Sequence, residues 1–146
     1  MRFSDTAEQL LRDAGWHPGR RVEVASWRAR LEAGGFHVTE CAEKFLSEFG
    51  GLVFRNSGPG LTCAVEPFEL DPTLADGEDD RFGEWGEELN KSLCPVGEGG
   101  HGEYFLAIDE GGEMYLVADW VATFGASDQA LEALLLGIAP TVVAES

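Results

Sequence analysis

Residues 103–118 read EYFLAIDEGGEMYLVA and contain the clearest β pattern of the chain. Its two extended runs, 103–109 and 113–118, are rich in the aromatic and branched side chains that are typical of β-strands. The segment 110–112 between them, Glu-Gly-Gly, has the composition of a tight turn, where glycine adopts backbone conformations that other residues reach only at a cost. The stretch therefore predicts a β-hairpin with antiparallel strands.

Three amphipathic segments precede the hairpin and predict helices. Each begins at a residue whose side-chain oxygen can cap a helix and ends at glycine. The caps are Ser4, Ser26 and Thr39, and the helices are expected to end before Gly15, Gly34 and Gly50. Residues 36–38, Phe-His-Val, are a candidate for a short strand between the second and third helices.

The chain then changes from a helical to an extended pattern. Residues 52–54 and 61–70 predict two strands on either side of the turn-like sequence 56–60, Asn-Ser-Gly-Pro-Gly. Pro67 cannot donate to a ladder, so it makes the second segment an edge strand or ends it. A polar loop is expected over residues 71–80.

Two more helices are predicted around the hairpin. In residues 81–90 Phe82, Trp85 and Leu89 recur at helical spacing, and a last helix starts near Ser127. A Gly-rich connection over residues 97–102 leads into the hairpin. The predicted elements begin with helices and continue with strands that have helices between them, an order typical of an α+β fold. We therefore predict a single domain over residues 1–146, with an antiparallel sheet and flanking helices.

The charge of the chain is strongly uneven. It has 27 acidic and 10 basic residues, a formal net charge of -17, yet residues 1–55 hold eight of each sign. The whole imbalance therefore lies in residues 56–146. A chain with this charge repels phosphate groups, so direct binding of nucleic acid or of an anionic membrane is not expected. Any charged partner should be basic.

Cysteine usage and the N-terminal sequence predict a cytoplasmic protein. Cys41, Cys63 and Cys94 are odd in number, widely spaced and without a CxxC pair, so free thiols are expected. The N-terminus lacks the apolar run of a signal peptide. No apolar stretch approaches the roughly 20 residues that a membrane helix needs.

No motif for catalysis or cofactor binding meets its structural requirements. Residues 97–102, GEGGHG, match G-x-G-x-x-G, but a strand is predicted to follow where the dinucleotide fingerprint needs a helix. The acidic loop 76–80 lacks the register of a calcium-binding EF-hand. His17, His37 and His101 stand beside no paired nucleophile. We therefore expect no enzymatic activity, no cofactor and no metal.

The densest negative charge lies on the helix predicted at residues 81–90 and in the loop before it. At 100° per residue Glu84, Glu87 and Glu88 project away from the apolar face and should be exposed. Like charges this close destabilise the native state, so either a docking surface or solubility alone could account for them. The predicted partner-binding residues are Asp76, Glu78, Asp79, Asp80, Glu84, Glu87 and Glu88, with Glu110 and Glu113 of the hairpin as second choice.

A series of Gly, Pro and aromatic landmarks runs nearly from end to end of the chain. They are Ala14-Gly15-Trp16 with Pro18 and Arg20, Trp27 and Leu31, Phe45-Leu46 before Phe49-Gly50-Gly51-Leu52, Gly58-Pro59-Gly60, Leu70-Asp71-Pro72, Arg81-Phe82 with Trp85, Pro95 with Gly97, Leu106 to Asp109 before Gly112 and Tyr115, and Ala130-Leu131-Glu132 before Gly137 and Pro140. In their order and spacing the chain resembles the SUKH superfamily, specifically its third group, the immunity proteins of bacterial polymorphic toxin systems. Cys94 departs from that pattern, since an aromatic or aliphatic residue is expected before Pro95.

This resemblance implies a single α+β domain that binds and blocks a cognate toxin domain, usually a nuclease or a deaminase, and has no catalytic residues of its own. A nuclease carries a basic cleft for its phosphodiester substrate, so an acidic inhibitor can cover that cleft and associate rapidly. Two alternatives stay open. One is a regulatory or scaffold protein of the same superfamily with no toxin partner. The other is a small-molecule enzyme with a deep pocket that holds a His near a carboxylate.

Overall fold

A computed structural model describes residues 2–145 of the chain. Within them, seven strands form an antiparallel sheet in which each strand pairs with the next one in sequence. The strands are β1 (Val53–Phe54), β2 (Phe68–Glu69), β3 (Cys94–Gly99), β4 (Tyr104–Ile108), β5 (Glu113–Val117), β6 (Trp120–Ala126) and β7 (Thr141–Glu145). The predicted α+β domain with an antiparallel sheet is confirmed.

Five α-helices flank the sheet in the described part of the chain: α1 (Asp5–Asp13), α2 (Ala25–Ala33), α3 (Glu40–Phe49), α4 (Asp79–Leu89) and α5 (Ser127–Leu136). Ser4 and Thr39 cap α1 and α3 as predicted, each accepting a hydrogen bond of 3.2 Å from the backbone N–H three residues on. Ser26 is not a cap, because α2 begins at Ala25. There the Glu23 carboxylate accepts from the Ala25 N–H instead.

The predicted hairpin forms from β4 and β5, and a buried carboxylate holds its turn. Asp109 accepts a hydrogen bond of 2.8 Å from the Tyr115 hydroxyl and bonds of 2.9 and 3.0 Å from the backbone N–H groups of Gly111 and Glu113. Burial, together with the hydrogen bond to Asp109, raises the pKa of Tyr115. The phenol therefore keeps the proton that it donates.

Removal of this carboxylate should be costly. We expect Asp109→Ala to lower the free energy of unfolding by about 3 kcal/mol, because a buried hydroxyl and two N–H groups lose their acceptor. Tyr115→Phe, the milder control, removes one of the three bonds and should cost about 1 kcal/mol. Urea unfolding measures both. If Asp109→Ala cost no more than Tyr115→Phe, water would be replacing the carboxylate and its role as anchor would be wrong.

The strand predicted over residues 61–70 is wrong, because only Phe68–Glu69 is paired in the sheet. Residues 61–63 instead donate three backbone hydrogen bonds to the carbonyl groups of Leu136 and Gly137, at the C-terminal end of α5. The last carbonyls of a helix need such donors. The partner lies more than 70 residues away in sequence, so the local pattern could not predict the contact.

Three smaller predictions are corrected. Residues 36–38 form no strand and lie outside the sheet, although Phe36 and Val38 are buried. Residues Pro72–Ala75, predicted as loop, form a short 3-10 helix packed against β3. Pro67 does not belong to an edge strand, because it precedes β2 and β2 lies between β1 and β3.

The Gly-rich segment 97–102, predicted as a connection, begins inside strand β3. A Cβ atom at Gly97 would lie 2.1 Å from the Glu69 carbonyl oxygen, and one at Gly99 would lie 2.6 Å from the Tyr104 ring. Both positions need glycine because β2 and β4 approach so closely. Strand β4 follows this segment, where a dinucleotide fingerprint would need a helix.

Strands β6 and β7 have no counterpart among the predicted strands. The register of β6 shifts once against β5, between Met114 and Tyr115, and once against β7, between Val121 and Ala122. Each shift adds an extra residue to one strand and breaks the alternation of inward and outward side chains. The alternation on which a strand prediction depends is therefore interrupted.

Helices α4 and α5 cover opposite faces of the sheet. Phe105 of β4 contacts Phe82 of α4, with 5.9 Å between the ring centroids. Leu106 is the next residue of β4 and therefore points to the face opposite Phe105. Its ladder partner Leu116 of β5 lies on that same face and lines a small cavity together with residues of α5. Because α4 packs through one side only, its other side lies at the surface of the molecule.

Candidate functional site

Helix α4 separates its apolar and acidic residues as predicted. Phe82 is buried, and the half-buried Trp85 donates its indole N–H to the carbonyl oxygen of Ala118 at 3.1 Å. Glu84, Glu87 and Glu88 are exposed. The helix ends at Asn90, whose left-handed backbone conformation (φ 56°) turns the chain back toward the sheet.

A groove of about 540 Å³ runs along α4, and we refer to it as the acidic groove. One wall is α4, and the others are residues 35–37 and 90–93. The rings of Phe36 and Phe82 meet edge to face in it, with centroids 5.5 Å apart. The carboxylates that line it belong to Asp79, Glu87 and Glu110. Aromatic rings and negative charges therefore share one concave surface.

Glu110 reaches this groove because of the way the hairpin turn is held. The Asp109 anchor fixes the turn, and the Glu110 carboxylate then accepts a hydrogen bond of 2.5 Å from the Ser92 N–H. The Glu110 carbonyl oxygen accepts from the Cys41 thiol at 3.1 Å. The structure thus brings a hairpin residue beside the α4 acids.

The other predicted site residues differ in the contacts that they make within the molecule. Asp76 is bound by Arg30 of α2, and Glu78 lies 3.5 Å from Arg81. Glu113 is half-buried and accepts a hydrogen bond of 2.5 Å from the Thr123 hydroxyl, away from the groove. Two further predicted residues, Asp80 and Glu88, are exposed on α4 outside the groove lining.

Five carboxylates of this region are not neutralised within the molecule. Among residues 2–145, no Lys or Arg nitrogen lies within 4.0 Å of the carboxylates of Asp79, Asp80, Glu84, Glu87 and Glu88. Most ion pairs of the described chain involve arginines of its first 30 residues. The charge of α4 is therefore left to face solvent or a partner.

Two groove residues with basic side chains are absent from the predicted site. His37 and Lys91 both line it, and each can carry a positive charge beside the carboxylates. A local signal for Lys91 exists, since it is the one Lys or Arg that follows Arg81 in the sequence. No comparable signal marks His37, whose place depends on how residues 35–37 pack against α4.

A second cavity, of about 370 Å³, bears on the enzyme alternative. Its lining includes His101 together with Glu98 and Ser57. His101 is exposed, and in the described chain no histidine is hydrogen-bonded to a carboxylate. A general base needs a third group to orient it. This cavity therefore places a histidine near carboxylates, but no hydrogen bond in the described residues orients it.

The described residues 2–145 contain no cluster of three or more His, Cys, Asp or Glu side chains that could hold a metal ion. They also include no helix with the length and apolar character to cross a bilayer. Cys41, Cys63 and Cys94 are free thiols, as predicted. Burial raises the pKa of Cys94 to about 12, so this thiol stays protonated near neutral pH.

Sequence comparison assigns the family. The family model described as SUKH-3 immunity protein matches residues 3–137, which include α1 to α5 and strands β1 to β6. No curated protein and no solved structure matches the chain. A match over this much of the sequence, together with the α+β fold described above, shows that the chain belongs to the SUKH-3 immunity protein family.

Proposed function

We propose that this protein binds a cognate toxin domain through the acidic groove and the adjoining outer side of α4, and so neutralises it. The toxin is a basic protein, either a nuclease or a deaminase. The observation that carries this proposal is the set of five unpaired carboxylates on α4, beside a groove lined by aromatic rings. Family membership supports the immunity role.

The chemistry of the groove fits a basic side chain of the partner. Phe36 and Phe82, only 7% and 2% exposed, form an apolar floor of the groove against which the stem of a lysine or an arginine can lie. Carboxylates on both sides, Asp79 and Glu87 on α4 and Glu110 on the hairpin, can accept the N–H groups of its charged end. Such a contact removes water from the ion pair at its centre. The remaining glutamates of α4 then surround it at the solvent-exposed edge of the interface.

The charge distribution favours rapid capture. The imbalance of the chain lies in residues 56–146, and α4 presents the densest part of it. A basic active-site cleft is drawn to such a surface before contact, which raises the association rate at low ionic strength. Occupying the cleft would exclude the substrate from it.

The test is protection of a cell that expresses the toxin domain encoded beside this gene. Co-expression of this protein should restore growth, and the two proteins should co-purify as a stable complex. Toxin domains of unrelated systems are the control, and they should be neither neutralised nor bound. If growth is not restored and no complex forms, the immunity role is wrong for that pair, and the alternative of a regulatory or scaffold module without a toxin would be favoured.

A further inference from the structure

Strand β7 is the open edge of the sheet. It pairs with β6 on one side, and it is the outermost strand in the sheet order. In the described chain, no backbone hydrogen bond from outside β6 reaches Thr141–Glu145. The N–H and C=O groups on its other side are therefore available to another strand.

Exposed apolar side chains cluster around this edge. Val142 and Val143 are 49% and 45% exposed. Of the seven large apolar side chains exposed among residues 2–145, four lie on β7, opposite it in the ladder or just before it in sequence: Trp120, Ile138, Val142 and Val143. Trp120 stands opposite Glu145 in the ladder. Such a cluster marks a docking surface.

The same region carries little charge, since Glu145 is the one charged residue of β7. Residues 133–144 contain no Asp, Glu, Lys or Arg, and neither do residues 56–65, which pack against residues 136–139. Two molecules that each carry a net charge of -17 repel one another. A surface with little charge is where two copies can meet at the smallest electrostatic cost, which favours a second copy of this chain as the occupant.

The strand also suits pairing with itself. An antiparallel pair of β7 strands related by a two-fold axis at Val143 places Thr141 opposite Glu145 and Val142 opposite Ala144. No two like charges then face each other across the pair. The symmetric pairing uses up both open β7 edges, so the assembly closes at two copies.

We infer that this protein forms a homodimer through antiparallel pairing of its two β7 strands around Val143. The family match ends at residue 137, so β7 lies outside the matched region. Val121 of β6 pairs with Ala144 and Ala122 pairs with Val142, so Val143 between them has no partner and forms a β-bulge. This bulge twists the edge strand and keeps the segment that can pair short. The dimer is therefore weak and forms with rising concentration.

The position of Val143 on the axis allows a decisive test. Val143→Glu places two negative charges against each other in the dimer, and Val143→Lys places two positive charges there. Each variant alone should be monomeric. A mixture of the two should form dimers again, because the introduced glutamate of one molecule then faces the introduced lysine of the other across the axis. The same two changes at Val53 are the matched control, since Val53 is a 37% exposed valine of β1, at the other edge of the sheet.

Sedimentation equilibrium over a concentration series measures the result. As concentration increases, the apparent mass of the unaltered protein should rise from 15.8 kDa toward twice that value. The Val53 variants should show the same rise. Each Val143 variant alone should stay at 15.8 kDa, and the mixture should rise again. A monomeric unaltered protein, or a mixture that stays monomeric, would overturn the proposal.

The result is separable from the proposed immunity role. Protection against the toxin should be the same for both Val143 variants and the unaltered protein, because β7 is not part of the acidic groove. Loss of protection in the Val143 variants, with matching circular dichroism and an unaltered protein that sediments as a monomer, would show that the edge is occupied by the toxin. That outcome would refute the second copy as occupant.

Discussion

Reversing two charges of α4 should slow toxin binding more than any other surface change. In the double variant Glu84→Lys with Glu87→Lys, we expect the association rate constant to fall by tenfold or more at low ionic strength. Both side chains are exposed and unpaired, and Glu87 lines the acidic groove. Stopped-flow mixing with the purified toxin domain measures the rate.

The control for this variant matches its net charge. Glu66→Lys with Glu103→Lys also changes two exposed glutamates, and neither of them lines the acidic groove. Because long-range steering depends on where charge is placed, the control should slow association much less. The difference between the two variants should shrink as salt is raised, since salt screens exposed charges over about 10 Å at 0.1 M.

Two results would contradict the site. Equal slowing by both variants would mean that total charge, and not α4, governs association. Unchanged rates in the α4 variant would leave the glutamates with a role in solubility alone. Either result leaves the fold and the family assignment intact, because those depend on other residues.

A loss of stability as large as that of Asp109→Ala is expected at Gly97. In Gly97→Ala the new Cβ would lie 2.1 Å from the Glu69 carbonyl oxygen and 3.0 Å from the Leu70 Cα, so β2 and β3 must separate. Both contacts are with backbone, which cannot rotate out of the way. We expect a loss of about 3 kcal/mol in the free energy of unfolding, a large part of the total for a domain of this size.

A second glycine provides the control for this substitution. A Cβ at Gly83 meets no atom within 4 Å, and Gly83 lies within α4. Gly83→Ala should therefore stabilise the protein by up to about 1 kcal/mol, since alanine favours helix over glycine. Urea unfolding midpoints of the two variants should move in opposite directions. A neutral Gly97→Ala would mean that the approach of β2 to β3 is looser than described.

The parts of the fold that were predicted correctly depend on neighbours in sequence. Ser4 and Thr39 form their caps with N–H groups three residues on, and the Glu-Gly-Gly turn joins strands that are adjacent in the chain. The separation of acidic from apolar residues on α4 likewise follows from helical spacing alone. Such contacts are encoded within windows of a few residues.

The wrong predictions concern contacts between distant segments. Residues 61–70 predict a strand, yet residues 61–63 bond to the end of α5 instead of joining the sheet. The sequence predicts Gly97 as part of a connection. In the structure it lies inside β3, where the carbonyl oxygen of Glu69 leaves no room for a Cβ atom. One bulge interrupts the alternation of β6 at Phe124 and the other that of β7 at Val143, and both depend on the register with a neighbouring strand.

The same division applies to the candidate site. From the sequence alone came the α+β class, the hairpin, the acidic outer side of α4 and the resemblance to the immunity family, because composition and spacing determine them. The packing of distant segments placed Glu110 and His37 beside Asp79 and Glu87 around two aromatic rings, and left β7 as an open edge whose one charged residue is Glu145. These arrangements depend on how segments far apart in the chain pack together, and a local pattern carries no information about that packing.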